Sequence, residues 1–239
     1  MRADRIPDEA VAAAHDTQKR ALVDWIRTHF GVELRADVPI IGFARRMTEY
    51  KRPDLLFTDI ERLKRIARER PFQLVLAGKA HPSDEPGKRL IALVHEHLRQ
   101  IRDDVTSVYI PDYNTDTALR LVGGTDVWLN TPLRPLEASG TSGMKAAFNA
   151  VPSLSILDGW WVEGCIEGVN GWAIGDPLDA ATGHDQESLY RKLEGTVLPL
   201  YYENRSAWLA VMKGAITKSA SYFNSHRMMR RYVSEAYLR

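Results

Sequence analysis

The sequence predicts an α/β domain built on a doubly wound, mostly parallel sheet. Two observations point there. Strand-type and helix-type segments alternate along the chain with short links, which is the signature of a parallel sheet with helices on both faces. The strand candidates are short continuous apolar runs rather than alternating ones, as expected of strands buried on both faces. A third observation sets the domain count: no internal repeat, low-complexity tract or Pro/Gly-rich linker divides the 239 residues, so one domain over 1–239 is expected.

Asp8 to Phe30 reads as a helix behind Pro7, with Val11, Ala14, Leu22, Trp25 and Ile26 inward. Val38 to Ala44 is the first buried-strand run. Pro53 then opens a helix whose stripe is Leu56, Ile60, Leu63 and Ala67. Pro71 ends it, and Phe72 to Ala77 is the second strand. Pro86 to Ile101 is a helix burying Leu90, Leu93, Val94, Leu98 and Ile101. Val105 to Ile110, a short helix at Asp116 to Val122, and Asp126 to Asn130 continue the alternation. Met144 to Ala150 reads as a short helix and Ser153 to Leu157 as the fifth strand. Gly159 to Gly183 reads as a loop, and helices near 185–201, 205–220 and 224–237 close the chain.

Composition excludes several classes. Basic and acidic side chains number 32 and 31, leaving +1 and no global field for nucleic acid. The single cysteine, Cys165, excludes an intramolecular disulfide and a Cys-cluster metal site, and fits a reducing compartment such as the cytoplasm. The N-terminus carries no signal-type apolar run, and no stretch is long enough to span a bilayer. His95 and His97, two apart on a helix, point to different faces and read as surface residues, not metal ligands. No metal is expected.

In doubly wound sheets ligands sit beyond the carboxyl ends of the strands, so the loops after Ala44, Ala77, Ile110, Asn130 and Leu157 carry the chemistry. The loop after Asn130 runs Thr-Pro-Leu-Arg-Pro-Leu-Glu137-Ala-Ser139-Gly140-Thr141-Ser142-Gly-Met-Lys145. Glycines let backbone approach an anion, N–H groups at a helix start donate to it, and three hydroxyls add donors. The residues alone say phosphate or carboxylate site, without saying which phosphate. A capped surface loop with a solvated lysine is the competing reading. A lysine near a helix start opposes the helix dipole, a small cost better understood if its amine is held as a neutral imine. A second segment, Arg45-Arg46-Met-Thr48-Glu49-Tyr50-Lys51-Arg52, packs four cations beside a strand end. Arginine's planar fork and lysine's compact charge suit a dianion, and a solvated charged turn is the alternative.

Glu137-Ala-Ser-Gly-Thr-Ser-Gly-Met-Lys-Ala-Ala-Phe-Asn149 resembles the pyridoxal phosphate motif of α-glucan (glycogen/maltodextrin) phosphorylases, in the form of the shorter bacterial and archaeal branch. The resemblance implies a Rossmann-like domain forming the C-terminal half of a two-domain GT-B architecture. It implies that Lys145 holds pyridoxal 5′-phosphate as a Schiff base. Thr141 and the helix start would touch the cofactor phosphate, and Glu137, Ser139 and Gly140 would bind glucosyl hydroxyls. The cationic segment is similar to the family's Arg-Arg-x-x-x-Tyr-Lys-Arg pattern, implying that Arg46 binds substrate phosphate and that Lys51 bridges toward the cofactor phosphate. Thr48 stands where many members carry histidine. Tyr113 matches a tyrosine that packs near the cofactor, with an aromatic strand-end plug as its other reading. Lys79 matches a turn lysine that either lines the cleft or is purely structural. Asp158 and Glu163 suggest a glycosidase carboxylate pair, which the resemblance argues against. The family usually has glycine where this chain has Ala150, so the helix end is expected to differ slightly.

The implied reaction is phosphorolysis of a terminal α-1,4-glucosyl unit of an α-glucan by inorganic phosphate, giving glucose 1-phosphate. The resemblance also implies an N-terminal catalytic domain that has no counterpart in this chain, so the chain alone is expected to turn over little glucan. Two other readings are a sugar-nucleotide glycosyltransferase domain of the same architecture, which would lack an imine-forming lysine, and a non-catalytic glucan-binding module. The sequence leaves the oligomeric state open.

Overall fold

A computed structural model describes residues 5–175 and 184–238. It contains six strands in one sheet, ordered β3-β2-β1-β4-β5-β6 and parallel throughout. The strands are β1 (Ile40–Arg46), β2 (Gln73–Lys79), β3 (Ser107–Ile110), β4 (Val127–Asn130), β5 (Ser153–Ile156) and β6 (Gly171–Ile174). The helices are α1 (Asp8–Phe30), α2 (Ile60–Glu69), α3 (Glu85–Ile101), α4 (Thr115–Gly124), α5 (Thr141–Phe148), α6 (Trp160–Gly164), α7 (Asp185–Lys192), α8 (Leu198–Glu203), α9 (Arg205–Gly214) and α10 (Ser225–Tyr232). The expected doubly wound Rossmann-like class is the observed one.

Strand alternation divides the core. On one side Ile41, Phe43, Leu74 and Leu76 pack with Leu63 and Ile66 of α2, Val94 and Leu98 of α3, and Trp208 of α9. On the other, Ile40, Ala44, Val75 and Ala77 pack with Leu22 and Ile26 of α1 and Leu121 of α4. Gly42 has no room for a side chain: a Cβ there would stand 2.7 Å from Thr125 Cγ2.

Several expected elements shift for identifiable reasons. The helix expected from Pro53 begins at Ile60, because Leu55–Phe57 makes a separate 3-10 turn and the Asp59 carboxylate caps α2 at the Arg62 N–H, 3.0 Å away. The region expected to be loop after Gly159 contains α6 and β6; residues 176–183 of that loop lie outside the described residues. Gly171 lets β6 press against β5, since a Cβ would meet Ser153 O at 2.3 Å. Leu93 faces solvent, as does Ala14 of α1. In place of Ala14 the inner face of α1 buries His15 and Lys19, which meet Asp126. His97 stacks on Phe57 with ring centroids 5.1 Å apart.

The helix end at Ala150 does not deviate as expected. Ala150 adopts the left-handed conformation itself, at φ 64°. The Val151 N–H donates to Ala146 O at 3.0 Å and the Ala150 N–H to Ala147 O at 3.2 Å, a complete Schellman closure of α5 with alanine in the glycine position.

Candidate functional site

Strand order reverses between β1 and β4, and the crevice beyond their carboxyl ends is where such sheets bind ligands. β1 ends there with Arg45 and Arg46, and β4 with Asn130. Alternation turns Arg45 inward, to 7% exposure, on the face of Ile41 and Phe43, and leaves Arg46 exposed. A 3-10 turn at Glu49–Lys51 then folds Lys51 back to 5% exposure.

The loop after β1 is stitched to the loop after β4. The Thr131 hydroxyl lies 3.0 Å from Lys51 O and 2.8 Å from Arg52 O. Arg52, held at φ 43°, donates to Thr131 O, Pro132 O and the Asp185 carboxylate at 3.0, 2.9 and 2.7 Å. This clamp delivers Glu137 to the cationic segment, where Arg45 Nη2 and Lys51 Nζ both donate to one oxygen, Glu137 Oε2. Burial pushes the Glu137 carboxyl upward, but the Lys51 hydrogen bond and the Arg45 and Lys51 charges outweigh it and hold the group below the usual carboxylate range. Burial also lowers the Arg45 guanidinium from its ordinary value, against the pull of Glu137. Arg45 Nη1 is buried with no hydrogen-bond partner.

A third strand end fixes the rest of the loop. Asp158, after β5, accepts the Glu137 N–H and the Gly159 N–H, both at 2.9 Å. Trp160 N–H donates to Ser139 O at 2.8 Å. Gly140 takes the left-handed conformation at φ 82° and turns the chain into α5 at Thr141. The helix start is pressed against its surroundings: a Cβ on Gly143 would stand 2.9 Å from Trp160 Nε1 and 3.2 Å from Asn130 Nδ2. Ser139 and Thr141 border a cavity of about 730 Å³, with Met144 and Trp160 beside them and Arg227 and Arg231 of α10 across it.

The structure thus joins Lys51 and Glu137 directly, and sets Ser139, Gly140 and Thr141 on the same loop and helix start. Arg46 is exposed at the end of β1, and the arginine that joins Lys51 at Glu137 is Arg45. Lys145, one turn into α5, is exposed, and among the described residues its amine has no hydrogen-bond or ion-pair partner. Tyr113 is half-buried against the Ala44 and Ile110 side of the core, close enough to Arg45 to feel its charge, and burial pushes its phenol up. Lys79 is exposed at the end of β2. Asp158 is committed to backbone N–H groups while Glu163 is exposed, so they form no glycosidase-like pair.

Sequence reasoning gave Arg45 and Arg52 no separate role and read Asp158 only as half of a glycosidase-like pair. Extending the first strand by two residues, to Arg46, brings Arg45 into register with Ile41 and Phe43. No local signal marks Asp158 as the anchor of the Glu137 loop. Among the described residues no cluster of His, Cys, Asp and Glu could hold a metal ion, and no helix is long and apolar enough to cross a membrane.

A sequence model of carbohydrate phosphorylases matches residues 1–170. The chain belongs to the carbohydrate phosphorylase family. It is 44% identical to the maltodextrin phosphorylase of Thermococcus litoralis, an alignment covering 98% of this chain and 30% of that protein. It is 43% identical to the glycogen phosphorylase of Aquifex aeolicus, covering 97% of this chain and 37% of the relative. A glycogen phosphorylase of Mycobacterium tuberculosis is 38% identical over 91% of this chain and 26% of its own length. The chain therefore spans about a third of the length of these relatives.

Proposed function

We propose that this chain is a single C-terminal domain, the pyridoxal-phosphate-binding half, of an α-glucan phosphorylase that cleaves terminal α-1,4-linked glucose with inorganic phosphate to give glucose 1-phosphate. The observation that carries this reading is the convergence of Arg45 and Lys51 on the loop that leads into α5, with the Lys145 amine unpaired one turn on. The residues fit a phosphorylated cofactor: the buried Arg45 Nη1 lacks an acceptor, and the N–H groups of the first turn of α5 favour an anion.

In this reading Lys145 is the covalent anchor, and Thr141 with the helix start receives the cofactor phosphate. Lys51 lies toward that phosphate, Arg46 binds substrate phosphate from the exposed side, and Tyr113 packs against the cofactor side of Arg45. Glu137, Ser139 and Gly140 orient the glucosyl unit. When bound, the cofactor would supply a second phosphate near the substrate's, and because two adjacent dianions cannot both stay fully ionised, that chemistry would make a proton available for the glycosidic oxygen. The cationic corner holds that charge in place through the oxocarbenium-like stage. The N-terminal domain, corresponding to the remaining length of the relatives, closes the cleft in this reading, so the chain alone turns over little glucan. The single cysteine favours a cytoplasmic setting.

The test is spectroscopic. Adding pyridoxal phosphate to the purified chain is expected to give an imine absorbance band, fixed by borohydride and lost in Lys145→Ala. No band in the native chain, or an unchanged band in Lys145→Ala, overturns the assignment. Phosphorolysis of maltodextrin by the isolated chain at the rates of full-length relatives overturns the expected inactivity.

A further inference from the structure

The two cations that face the crevice are already satisfied, but poorly. Arg45 and Lys51 share a single oxygen of a single carboxylate, and Arg45 Nη1 is left buried without an acceptor. One negative charge lies against two positive ones. A tetrahedral oxyanion carries two charges and more acceptor oxygens, so it can serve both cations and the orphaned Nη1 at once. Glu137 reaches the pair from a loop rather than from a helix or strand. It sits on the loop between β4 and α5, is held by its backbone N–H to Asp158, and meets both cations through one carboxylate oxygen.

We infer that Glu137 is a built-in stand-in for phosphate: its carboxylate holds the Arg45–Lys51 pair until an oxyanion displaces it, and displacement frees it to accept from a sugar hydroxyl. Anion binding then precedes sugar binding and strengthens it. By reciprocity, sugar that captures the freed carboxylate strengthens anion binding by the same factor. This rests on the reading of the corner as an anion site and adds to it an order of binding and an internal competitor.

The test is calorimetric titration of the full chain and of Glu137→Gln with inorganic phosphate, and separately with pyridoxine 5′-phosphate, which has no aldehyde to react with Lys145. If the carboxylate competes, removing its charge tightens oxyanion binding by about tenfold or more, the scale of a charge-assisted contact. A purely structural residue gives the opposite sign or no change. A response confined to inorganic phosphate identifies the displaced position as the substrate's, and one confined to the monoester identifies it as the cofactor's. Equal affinity in the two chains, or weaker binding in Glu137→Gln, overturns the inference while the anion site stands. Absence of oxyanion binding in both chains overturns the anion site as well. Glu137→Ser, which removes the carboxylate and its length, is expected to give the same sign; if neither variant folds, Glu137 is structural and the inference fails. In the native chain, maltotriose is expected to bind several-fold more tightly with phosphate present. No such gain, or no maltotriose binding in either state, overturns the coupling.

Discussion

Asp126 stands at the amino end of β4 and ties it to the amino end of β1, so its loss tests what holds the crevice-forming strands together. It is 3% exposed, its partner Lys19 is 2% exposed, and it accepts from Lys19 Nζ at 2.7 Å, His15 Nε2 at 3.1 Å and Ile40 N–H at 2.7 Å. Asp126→Ala leaves a buried ammonium with only Val38 O and the Tyr201 hydroxyl, at 2.9 and 3.1 Å. Breaking a buried pair from one side costs about 3–5 kcal/mol. The orphaned Ile40 N–H adds about 1–3 kcal/mol. Together these reach a large share of the roughly 5–15 kcal/mol that stabilises a domain. Lys19→Met is expected to cost less, because Asp126 keeps His15 and the Ile40 N–H. In the double variant no charge is stranded, so the two losses should fall short of additivity by about 1.5 kcal/mol or more. Urea unfolding followed by far-UV circular dichroism at neutral pH measures all four chains. Acid adds a second readout. Burial pushes the Asp126 carboxyl up, but Lys19 and His15 outweigh it and hold the group below its ordinary value. Its contribution is therefore complete above about pH 4, the unfolded carboxylate value, and is lost as pH falls through the depressed native one. Asp126→Ala should lack that part of the acid transition. Additivity within about 0.5 kcal/mol, or a loss below about 1 kcal/mol in Asp126→Ala, refutes the reasoning.

Gly159→Ala forces a Cβ to 2.5 Å from Ser139 O and 2.9 Å from Glu137 O, at a backbone φ of 56°. Strain and overpacking together should cost about 3–5 kcal/mol and reduce pyridoxal phosphate uptake; native-like urea stability would show that the corner is loosely packed. Ala150→Gly relieves a left-handed alanine, worth about 1–2 kcal/mol. It forfeits a buried methyl worth about 0.8 kcal/mol and adds about 0.5–1 kcal/mol of unfolded-state freedom. The net change should stay within about 1 kcal/mol, and a shift beyond about 2 kcal/mol in the urea unfolding free energy contradicts that balance.

The sequence by itself determined the fold class, the length of α1, the alternation of strands and helices, and the loop that carries Glu137 through Lys145. Those features are local: apolar periodicity, proline and glycine punctuation, and a spaced motif are each decided by neighbours within a few turns of chain. Only the tertiary structure decided that Arg45 rather than Arg46 meets Lys51 at Glu137, that Asp158 anchors the same loop, and that Lys19 and His15 turn inward to Asp126. The pairs Arg45–Glu137 and His15–Asp126 lie 92 and 111 residues apart. Their meeting depends on strand order, which places β1 against β4 although two strands and three helices separate them in sequence. A local pattern fixes which face a residue occupies within its own element; what stands opposite that face is fixed by how the elements are laid side by side.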